Sequence, residues 1–328
     1  MGTRSAIITG TGMSVPSRIM TNRDLEKIVD TSDEWIQTRT GIHERRIAMP
    51  HEAVSEFALA AARNALEMAG VAPKNIDLII CATVTPDVPI PATACLLQHR
   101  LGCQHAAAFD MQAGCSGFIY GQSVAKQFIV SGRCRNVLVV GAELLSKFLD
   151  WSDRTTCVIF ADGAGAVVMS EGSLPRGILA SALHSDGSMS DFISMEGGGS
   201  KHPASEETVA RGMHFIRMRG NETFKIAVRS LEDVSREVLE VAGLTPNDVS
   251  WFIPHQANQR IISAVGERLG IPPERCYVNI DRYGNTSAAS IPIALDEAVR
   301  AGKVQSGDII LMAAFGAGLT WAASAVRW

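Results

Sequence analysis

The 328-residue chain carries 30 Lys and Arg against 34 Asp and Glu, a formal net charge of −4. This balance excludes the general basic field that drives most nucleic-acid binding. Hydrophobic residues make up 46% of the chain, which is enough for a large core in two domains or in one duplicated domain.

The N-terminal residues and the cysteine pattern indicate the cellular compartment in which we expect the protein to be found. Met1 leads almost directly into Ala6-Ile7-Ile8 with no basic region before a long apolar run, so we expect no secretory signal. No apolar run is long enough to span a bilayer, so we expect no membrane anchor. The scattered, odd-numbered cysteines argue against a disulfide framework or a zinc site and favour a reducing cytoplasm. They are Cys81, Cys95, Cys103, Cys115, Cys134, Cys157 and Cys276.

Caps and periodicity predict the first elements. Residues 6–12 resemble a strand ending in glycines, but the third glycine and the helix of a dinucleotide fingerprint are missing. Capped helices are expected after Thr21 and Ser32, and a longer helix over residues 53–69. Residues 106–109 then predict a strand, which leads through a small-residue turn into a helix over 118–130.

Cys115 lies in that turn and is the first candidate for chemistry. At a helix N-terminus, the unpaired N–H groups and the positive end of the macrodipole favour a thiolate over a thiol. A thiolate in a tight turn suits nucleophilic catalysis. The alternative is a small residue buried by packing, which is the commoner role of an intracellular cysteine.

An internal repeat organises the chain. Residues 66–80 match residues 239–253, since each segment is a helix ending at Ala-Gly, then a Pro turn, then a strand. The match continues into two small-residue turns, 113–115 and 284–286. Alternating helices and strands predict helices covering mostly parallel sheets. Duplication predicts a pseudo-dyad near which the two turns converge.

The repeat places His255, Asn285 and a Gly316–Gly318 turn at equivalent strand ends. Singly each is weak evidence, because such residues usually serve structure. Together they suit thioester chemistry: Cys115 attacks, and its own N–H and one from the glycine turn bind an oxyanion. His255 and Asn285 then offer N–H donors to an enolate. No carboxylate stands out as a base, since Glu143 lies beyond the next helix and strand, and a carbanion formed by loss of CO2 needs none.

On these residues the chain resembles the ketoacyl-acyl-carrier-protein synthase III family of the thiolase superfamily. The resemblance spans essentially the whole chain and rests on residues 113–118, 254–262, 281–290 and 315–321, with 31–36 and 150–154. It implies an α/β, thiolase-like duplicated α-β-α-β-α layered fold with mixed, mostly parallel sheets. We expect an N-terminal half over 1–175, a loop and cap connection over 176–220, and a C-terminal half over 221–328.

The resemblance implies a decarboxylating Claisen condensation that initiates fatty acid biosynthesis. An acyl group passes from coenzyme A to Cys115, and malonyl-acyl carrier protein loses CO2. The enolate, stabilised by His255 and Asn285, then attacks the acyl-enzyme to give 3-oxoacyl-acyl carrier protein. Cys115 and Ala317 match the oxyanion-hole amides, although the family usually has glycine at 317. A cytoplasmic homodimer is implied, with no tightly bound cofactor and a coenzyme A thioester as substrate.

The resemblance also assigns binding residues. Trp35 and Arg154 match a pair that sandwiches the adenine of coenzyme A, and an indole and a guanidinium suit a purine face. The other coenzyme A positions are Thr31, Arg39, Gly220, Ala257 and Asn258. Carrier-protein contacts are Gln256, Ala257, Asn258, Gln259, Arg260, Arg219, Lys225 and Arg268. The alternatives are a half-buried packing role for Trp35 and an ordinary solvated surface for the charges.

Departures from the family pattern bear on specificity. Ile90 stands where some members place a phenylalanine that closes the acyl pocket across the dimer, so a longer or branched starter is admissible. Gly114 replaces a common alanine. Residues 183–219 are either a cap over the site or a linker. The alternative functions are a related synthase with other starters in secondary metabolism, a thioester hydrolase, and a silent dimeric scaffold.

Overall fold

The computed structural model describes residues 4–328, apart from the side chain of residue 221. The strands are β1 (Arg4–Ser14), β2 (Ile19–Thr21), β3 (Glu44–Arg46), β4 (Leu78–Ala82), β5 (Ala107–Met111), β6 (Asn136–Leu144), β7 (Asp162–Ser173), β8 (Gly177–Ser185), β9 (Ile193–Ser194), β10 (Arg217–Met218), β11 (Trp251–Pro254), β12 (Ile309–Gly316) and β13 (Thr320–Arg327). The α-helices are α1 (Asn22–Leu25), α2 (Asp33–Thr40), α3 (Val54–Ala69), α4 (Thr93–Leu101), α5 (Gly117–Val130), α6 (Glu206–Ala210), α7 (Gly220–Val241), α8 (Gln259–Leu269), α9 (Ile280–Tyr283) and α10 (Ser290–Arg300).

Two sheets and three layers of helices make up the body of the molecule. The first sheet has the strand order β1-β7-β6-β4-β5, and the second has the order β11-β12-β13-β8. Helices α3 and α4 cover the outer face of the first sheet, and α7 and α8 cover the outer face of the second. Helices α5 and α10 are buried between the sheets. This is the predicted α-β-α-β-α layering.

The two halves are related as the repeat predicts. The central strands correspond as β4 to β11, β6 to β12 and β7 to β13, and the central helices as α5 to α10. The mate of β5 is reduced to a single parallel bridge between Phe252 and Cys276. The symmetry also pairs β1 with β8, because each forms the antiparallel outer strand of its sheet. The sequence repeat did not reveal this last pair.

Two details differ from the sequence-based expectation. The sheets are mixed, but in the described residues of the two large sheets three strand pairs are parallel and four are antiparallel, so parallel pairing is not the majority. The reason is that each half adds a β-hairpin-like return and an outer strand to its parallel core. The connection expected over 176–220 is also shorter, because Gly177–Ser185 form β8 of the second sheet.

The glycines of β1 serve helix packing. A Cβ on Gly10 would lie 2.3 Å from the Ala65 carbonyl oxygen, and one on Gly12 would lie 2.3 Å from that of Ala61. Both carbonyls belong to α3, so the glycines let this helix lie directly on the strand. Close approach of helix and strand therefore explains the glycine pattern that superficially resembles a dinucleotide fingerprint.

The segment between β8 and α7 is irregular but structured. It contains α6 and a two-stranded sheet formed by β9 and β10. Ile216 and Met218 of this segment join a hydrophobic cluster that also contains Trp35, Phe148 and Trp151. The segment thus packs beside the predicted coenzyme A residues. In the described part of the chain, no helix is both long and apolar enough to cross a membrane.

Candidate active site

Cys115 lies in the predicted turn between β5 and α5. A short 3₁₀ turn, Gly114–Ser116, precedes α5, which begins at Gly117. Gly114 has a φ of +51°, in the left-handed region that favours glycine. The turn packs against a second turn, Ser287–Ala289, from the other half of the repeat. The convergence of the two small-residue turns is therefore confirmed.

The predicted thiolate is not the resting form of Cys115. Burial raises the pKa of the Cys115 thiol to about 12, and the nearby Glu143 carboxylate adds to this rise. The Ser287 hydroxyl acts in the opposite direction by hydrogen bonding. The expectation was wrong because desolvation of the charged form outweighs the helix N-terminus when the sulfur faces the interior. A nucleophilic role for Cys115 would therefore require the thiol to lose its proton.

The turn after β12 lies against the Cys115 backbone. A Cβ on Gly316 would lie 2.4 Å from the Cys115 nitrogen, so these two segments are in direct contact. Thr320 Oγ1 donates to the carbonyl oxygens of Ala113 at 2.8 Å and of Ala317 at 3.1 Å, which ties the two turns together. Ala317 is not among the described residues with positive φ, so its Cβ is accommodated without backbone strain. The backbone amides of Cys115 and Ala317 are thus held as neighbours.

His255 follows β11 and is 3% exposed. Burial lowers its pKa to about 3, so the imidazole is neutral at neutral pH. Its Nδ1 lies 2.6 Å from Ser290 Oγ, which also accepts from the Gln256 N–H at 3.3 Å. When the Ser290 hydroxyl donates to Nδ1, the ring proton sits on Nε2. His255 is then a neutral hydrogen-bond donor.

Asn285 is 6% exposed and is fixed on three sides. Its backbone N–H donates to the Ile159 carbonyl, and its carbonyl accepts from the Ala161 N–H. Its side-chain Oδ1 accepts from the Ser287 N–H at 2.9 Å. Because the amide oxygen is occupied, the side-chain NH2 remains as the donor. His255 and Asn285 therefore each keep a side-chain N–H donor that is not used within these contacts.

Glu143, which the sequence analysis set aside as remote, and Ser287, to which it gave no role, both lie near the Cys115 turn. Glu143 is fully buried at the end of β6 and accepts from Thr85 Oγ1 at 2.7 Å and Ser287 Oγ at 3.2 Å. The expected remoteness of Glu143 was wrong, because β4, β5 and β6 are parallel and their carboxyl ends meet at one edge. The glycine at position 141 is a sequence feature that could have indicated this contact. It lies on the same face of β6 as Glu143, and a Cβ added there would lie 2.2 Å from the Ala288 carbonyl oxygen, so the strand and the turn must approach closely.

The predicted adenine pair is assembled on the surface. The Arg154 guanidinium lies 5.2 Å from the centre of the Trp35 ring, and Arg39 lies 5.8 Å from it. A base between Trp35 and Arg154 needs roughly 7 Å, twice a van der Waals contact distance. Arg154 would therefore have to swing away from its 2.9 Å hydrogen bond to the Asp30 carbonyl. The buried Thr31 Oγ1 has no hydrogen-bond partner in the described residues, which fits a ligand contact.

The residues predicted to contact the pantetheine arm and the acyl group lie on other elements than Trp35 and Arg154. Asn258 caps α8 and donates to the Arg39 carbonyl at 2.9 Å, so it joins the adenine side to the site. Ala257 is half-buried beside it, and Gly220 is exposed at the first position of α7. Ile90 is 88% exposed in the single chain. A role for Ile90 in an acyl pocket would therefore require a second subunit.

Apart from Ala257 and Asn258, described above, the predicted carrier-protein residues divide into three groups. Gln256 is 1% exposed, and its amide bonds the Pro254 and Tyr277 carbonyls and the Asn279 N–H, so the expected surface contact is wrong for this side chain. Its polar atoms are needed inside, where they satisfy buried backbone groups. The exposed cations Arg219 and Arg268 form ion pairs with Asp191 and Glu232. Three exposed residues remain available, namely Lys225, Gln259 and Arg260.

The chain is similar to known proteins over most of its length. Residues 109–187 match the family model for 3-oxoacyl-[acyl-carrier-protein (ACP)] synthase III, and residues 239–328 match its C-terminal model. A β-ketoacyl-[acyl-carrier-protein] synthase III from Symbiobacterium thermophilum is 56% identical over the whole chain and 99% of its own length.

Two solved structures are also similar. The 3-oxoacyl-[acyl-carrier-protein] synthase III from Aquifex aeolicus aligns with a TM-score of 0.91 and 53% identity over 98% of this chain and all of that one. The priming β-ketosynthase of the R1128 polyketide biosynthetic pathway aligns with a TM-score of 0.92 and 38% identity, over 98% and 96% of the two chains.

The layered fold and the homologues define an acyltransferase of the thiolase-fold condensing class. Within that class, the chain belongs to the β-ketoacyl-acyl-carrier-protein synthase III family.

Proposed function

We propose that this protein condenses an acyl-coenzyme A starter with malonyl-acyl carrier protein through an acyl group carried on Cys115. The observation that supports the proposal is the packing of the Cys115 turn against the 287–289 turn, which is flanked by Asn285 and by the Ser290 that hydrogen-bonds His255. The names of the relatives support the substrate classes.

The acylation half-reaction uses the first pair of donors. The Cys115 sulfur attacks the thioester carbonyl, and the backbone N–H groups of Cys115 and Ala317 stabilise the oxyanion. Trp35, Thr31, Arg39 and Arg154 hold the nucleotide end of coenzyme A, while Gly220, Ala257 and Asn258 line the way to the sulfur. Collapse of the tetrahedral intermediate releases coenzyme A.

The condensation half-reaction uses the second pair. Malonyl-acyl carrier protein docks near Lys225, Gln259 and Arg260, and the exposed side chains of Lys225 and Arg260 present positive charge to an acidic partner. Loss of CO2 leaves an enolate whose oxygen is bound by the His255 Nε2–H and the Asn285 amide. A neutral histidine suits this role, because it donates without having to be deprotonated first. The enolate carbon then attacks the acyl group, and Cys115 leaves.

We also propose a cytoplasmic homodimer. Strand β5 is an edge strand of the first sheet and pairs with β4 on one side. Val88 and Ile90, in the loop before α4, are 43% and 88% exposed. An apolar loop beside an open strand edge suits pairing with a second copy, which would bring Ile90 to the partner's acyl pocket. Sedimentation of the protein and of an Ile90→Asp variant tests the dimer, which the variant should weaken.

The decisive experiment follows the two half-reactions separately. The protein is incubated with acetyl-, isobutyryl- or octanoyl-coenzyme A, and acyl mass is measured on Cys115. Malonyl-acyl carrier protein is then added, and ketoacyl product and CO2 are measured. Cys115→Ala should abolish acylation, whereas His255→Ala and Asn285→Ala should impair condensation more than acylation.

The outcomes separate the candidate functions. Absence of acylation in the wild type would refute the proposal, and release of free acid without carbon–carbon bond formation would indicate a thioester hydrolase. Preference for a long or branched starter would favour a priming role in secondary metabolism, in line with the similarity to the R1128 priming ketosynthase. Preference for acetyl-coenzyme A would favour fatty acid initiation.

A further inference from the structure

We propose that Glu143, acting through Ser287, stores the Cys115 proton between the two half-reactions. This inference deepens the proposed function and rests on it. It gives a role to a fully buried carboxyl group that hydrogen-bonds the turn packed against Cys115, and to the serine that makes this hydrogen bond.

Ser287 lies at the junction of the nucleophile turn and Glu143. The turn that carries Ser287 packs against the turn that carries Cys115, and hydrogen bonding from the Ser287 hydroxyl lowers the pKa of the Cys115 thiol. The same hydroxyl donates to Glu143 Oε1 at 3.2 Å. A serine hydroxyl can accept one proton and donate another at the same time. A proton can therefore pass from sulfur to Ser287 while the Ser287 proton passes to Glu143.

The backbone holds Ser287 in this position at an energetic cost. Ser287 has a φ of +49° and is the one non-glycine residue with positive φ in the described part of the chain. Such a conformation is disfavoured for a residue with a Cβ, and it persists where the surroundings enforce it. Here the Asn285 side chain holds the Ser287 N–H, and β6 packs directly against the next residue, Ala288.

The surroundings of Glu143 suit a group that changes protonation state. Its other hydrogen-bond donors are the Val84 N–H and the hydroxyls of Thr83 and Thr85, all of which are neutral. The titratable neighbours are the thiols of Cys115 and Cys81, whose pKa values burial raises. Burial likewise raises the pKa of Glu143 to about 7, so the carboxyl is poised between its two forms near neutral pH.

The proton balance closes over the full reaction. In acylation the Sγ–H bond breaks, Glu143 gains the proton, the new carbon–sulfur bond forms, and coenzyme A leaves as a thiolate that takes a proton from solvent. In condensation malonyl loses CO2, the carbon–carbon bond forms, and Cys115 leaves as a thiolate. That thiolate takes back the proton from Glu143 through Ser287. One solvent proton is consumed per turnover, and no other co-reactant is needed.

The test compares Glu143→Gln, Ser287→Ala and the control Asp162→Asn. Asp162 is also fully buried and accepts only from the Ala48 N–H and from Ser146, so its variant matches the loss of a buried carboxylate away from Cys115. Single-turnover acylation by acetyl-coenzyme A is measured by mass from pH 5.5 to 9. Condensation by pre-acylated protein is measured in parallel, and folding is checked by thermal unfolding.

We expect wild-type acylation to rise with pH through a midpoint near 7, where Glu143 ionises, and then to level off. Glu143→Gln and Ser287→Ala should lose that midpoint and acylate at least tenfold more slowly at pH 7, while the first condensation by pre-acylated protein changes less than threefold. Asp162→Asn should keep the wild-type profile. If Glu143→Gln does not fold, Ser287→Ala decides alone.

Two results would overturn the relay. One is a folded Ser287→Ala that acylates within threefold of wild type. The other is a slow variant that retains the wild-type pH midpoint, since this indicates a positional role without proton transfer. In both cases the wild type still acylates and condenses, so the proposed function stands. If the wild type does not acylate Cys115, the proposed function itself fails.

Discussion

Gly114→Ala perturbs the contact between the nucleophile turn and the turn that carries Ala317. A Cβ on Gly114 would lie 2.8 Å from the Ala317 nitrogen and 2.9 Å from its carbonyl oxygen. Both neighbours are backbone atoms, so the clash is relieved only if the 316–318 turn shifts. That shift displaces the Ala317 N–H, one of the two proposed oxyanion donors.

Gly114→Ala should have two separate effects, one on the acylation rate and one on the free energy of unfolding. Loss of one oxyanion donor costs roughly 100- to 1,000-fold in rate. An alanine in the left-handed region costs about 1–2 kcal/mol of stability. Gly102→Ala separates the two effects, because Gly102 has a φ of +79° and a Cβ there meets nothing within 4 Å. We therefore expect both variants to lose stability, but only Gly114→Ala to lose roughly 100-fold in the rate of Cys115 acylation.

The assay is single-turnover acylation by acetyl-coenzyme A, followed by intact mass, with stability measured by urea unfolding. The double variant Gly114→Ala/Ala317→Gly should recover part of the rate, because glycine at 317 lets the backbone move aside without losing its N–H. A Gly114→Ala variant that acylates within threefold of wild type would contradict the reasoning. Equal rate losses in Gly114→Ala and Gly102→Ala would contradict it too.

Three further outcomes are expected. Burial holds the pKa of His255 at about 3 against 6.5 in the unfolded chain, so the stability that the neutral ring contributes is present above pH 6.5 and is lost as pH falls toward 3, by up to about 1.4 kcal/mol per pH unit. His255→Gln should flatten that slope in urea unfolding, and an unchanged slope would argue against a buried neutral ring. Trp35→Ala should raise the KM for acetyl-coenzyme A roughly tenfold through lost stacking, but leave that for acetyl-pantetheine unchanged. Lys225→Ala and Arg260→Ala should each raise the KM for malonyl-acyl carrier protein severalfold, whereas Arg268→Ala, whose side chain pairs with Glu232, should not.

The sequence alone was enough to predict the order of the main elements and their duplication. Periodicity and caps are local signals, and α3 and α5 begin and end within one or two residues of the predicted ranges. The repeat then implied which strand ends converge. For this reason Cys115, His255 and Asn285 could be grouped before any coordinates were considered.

The protonation state and the exposure of the side chains in these motifs were decided only by tertiary burial. A helix N-terminus favours a thiolate at Cys115, but the desolvation that reverses this preference depends on how the two halves close over the sulfur. Gln256 likewise lies in a motif associated with docking, yet its side chain is turned inward to satisfy backbone carbonyls. Neither outcome is encoded in the residues next to these positions.

Long-range contacts also lay beyond the sequence. Strand β8 was taken for part of a connection, because pairing with β13 is what makes it a strand of the second sheet. Glu143 is 28 positions from Cys115 and Ser287 is 172 positions away, yet the parallel strand ends and the packed turns bring all three together. The sequence by itself determined the elements, the repeat and the chemical groups available. The packing of the two halves decided which of those groups are charged, which are buried, and which are able to exchange a proton.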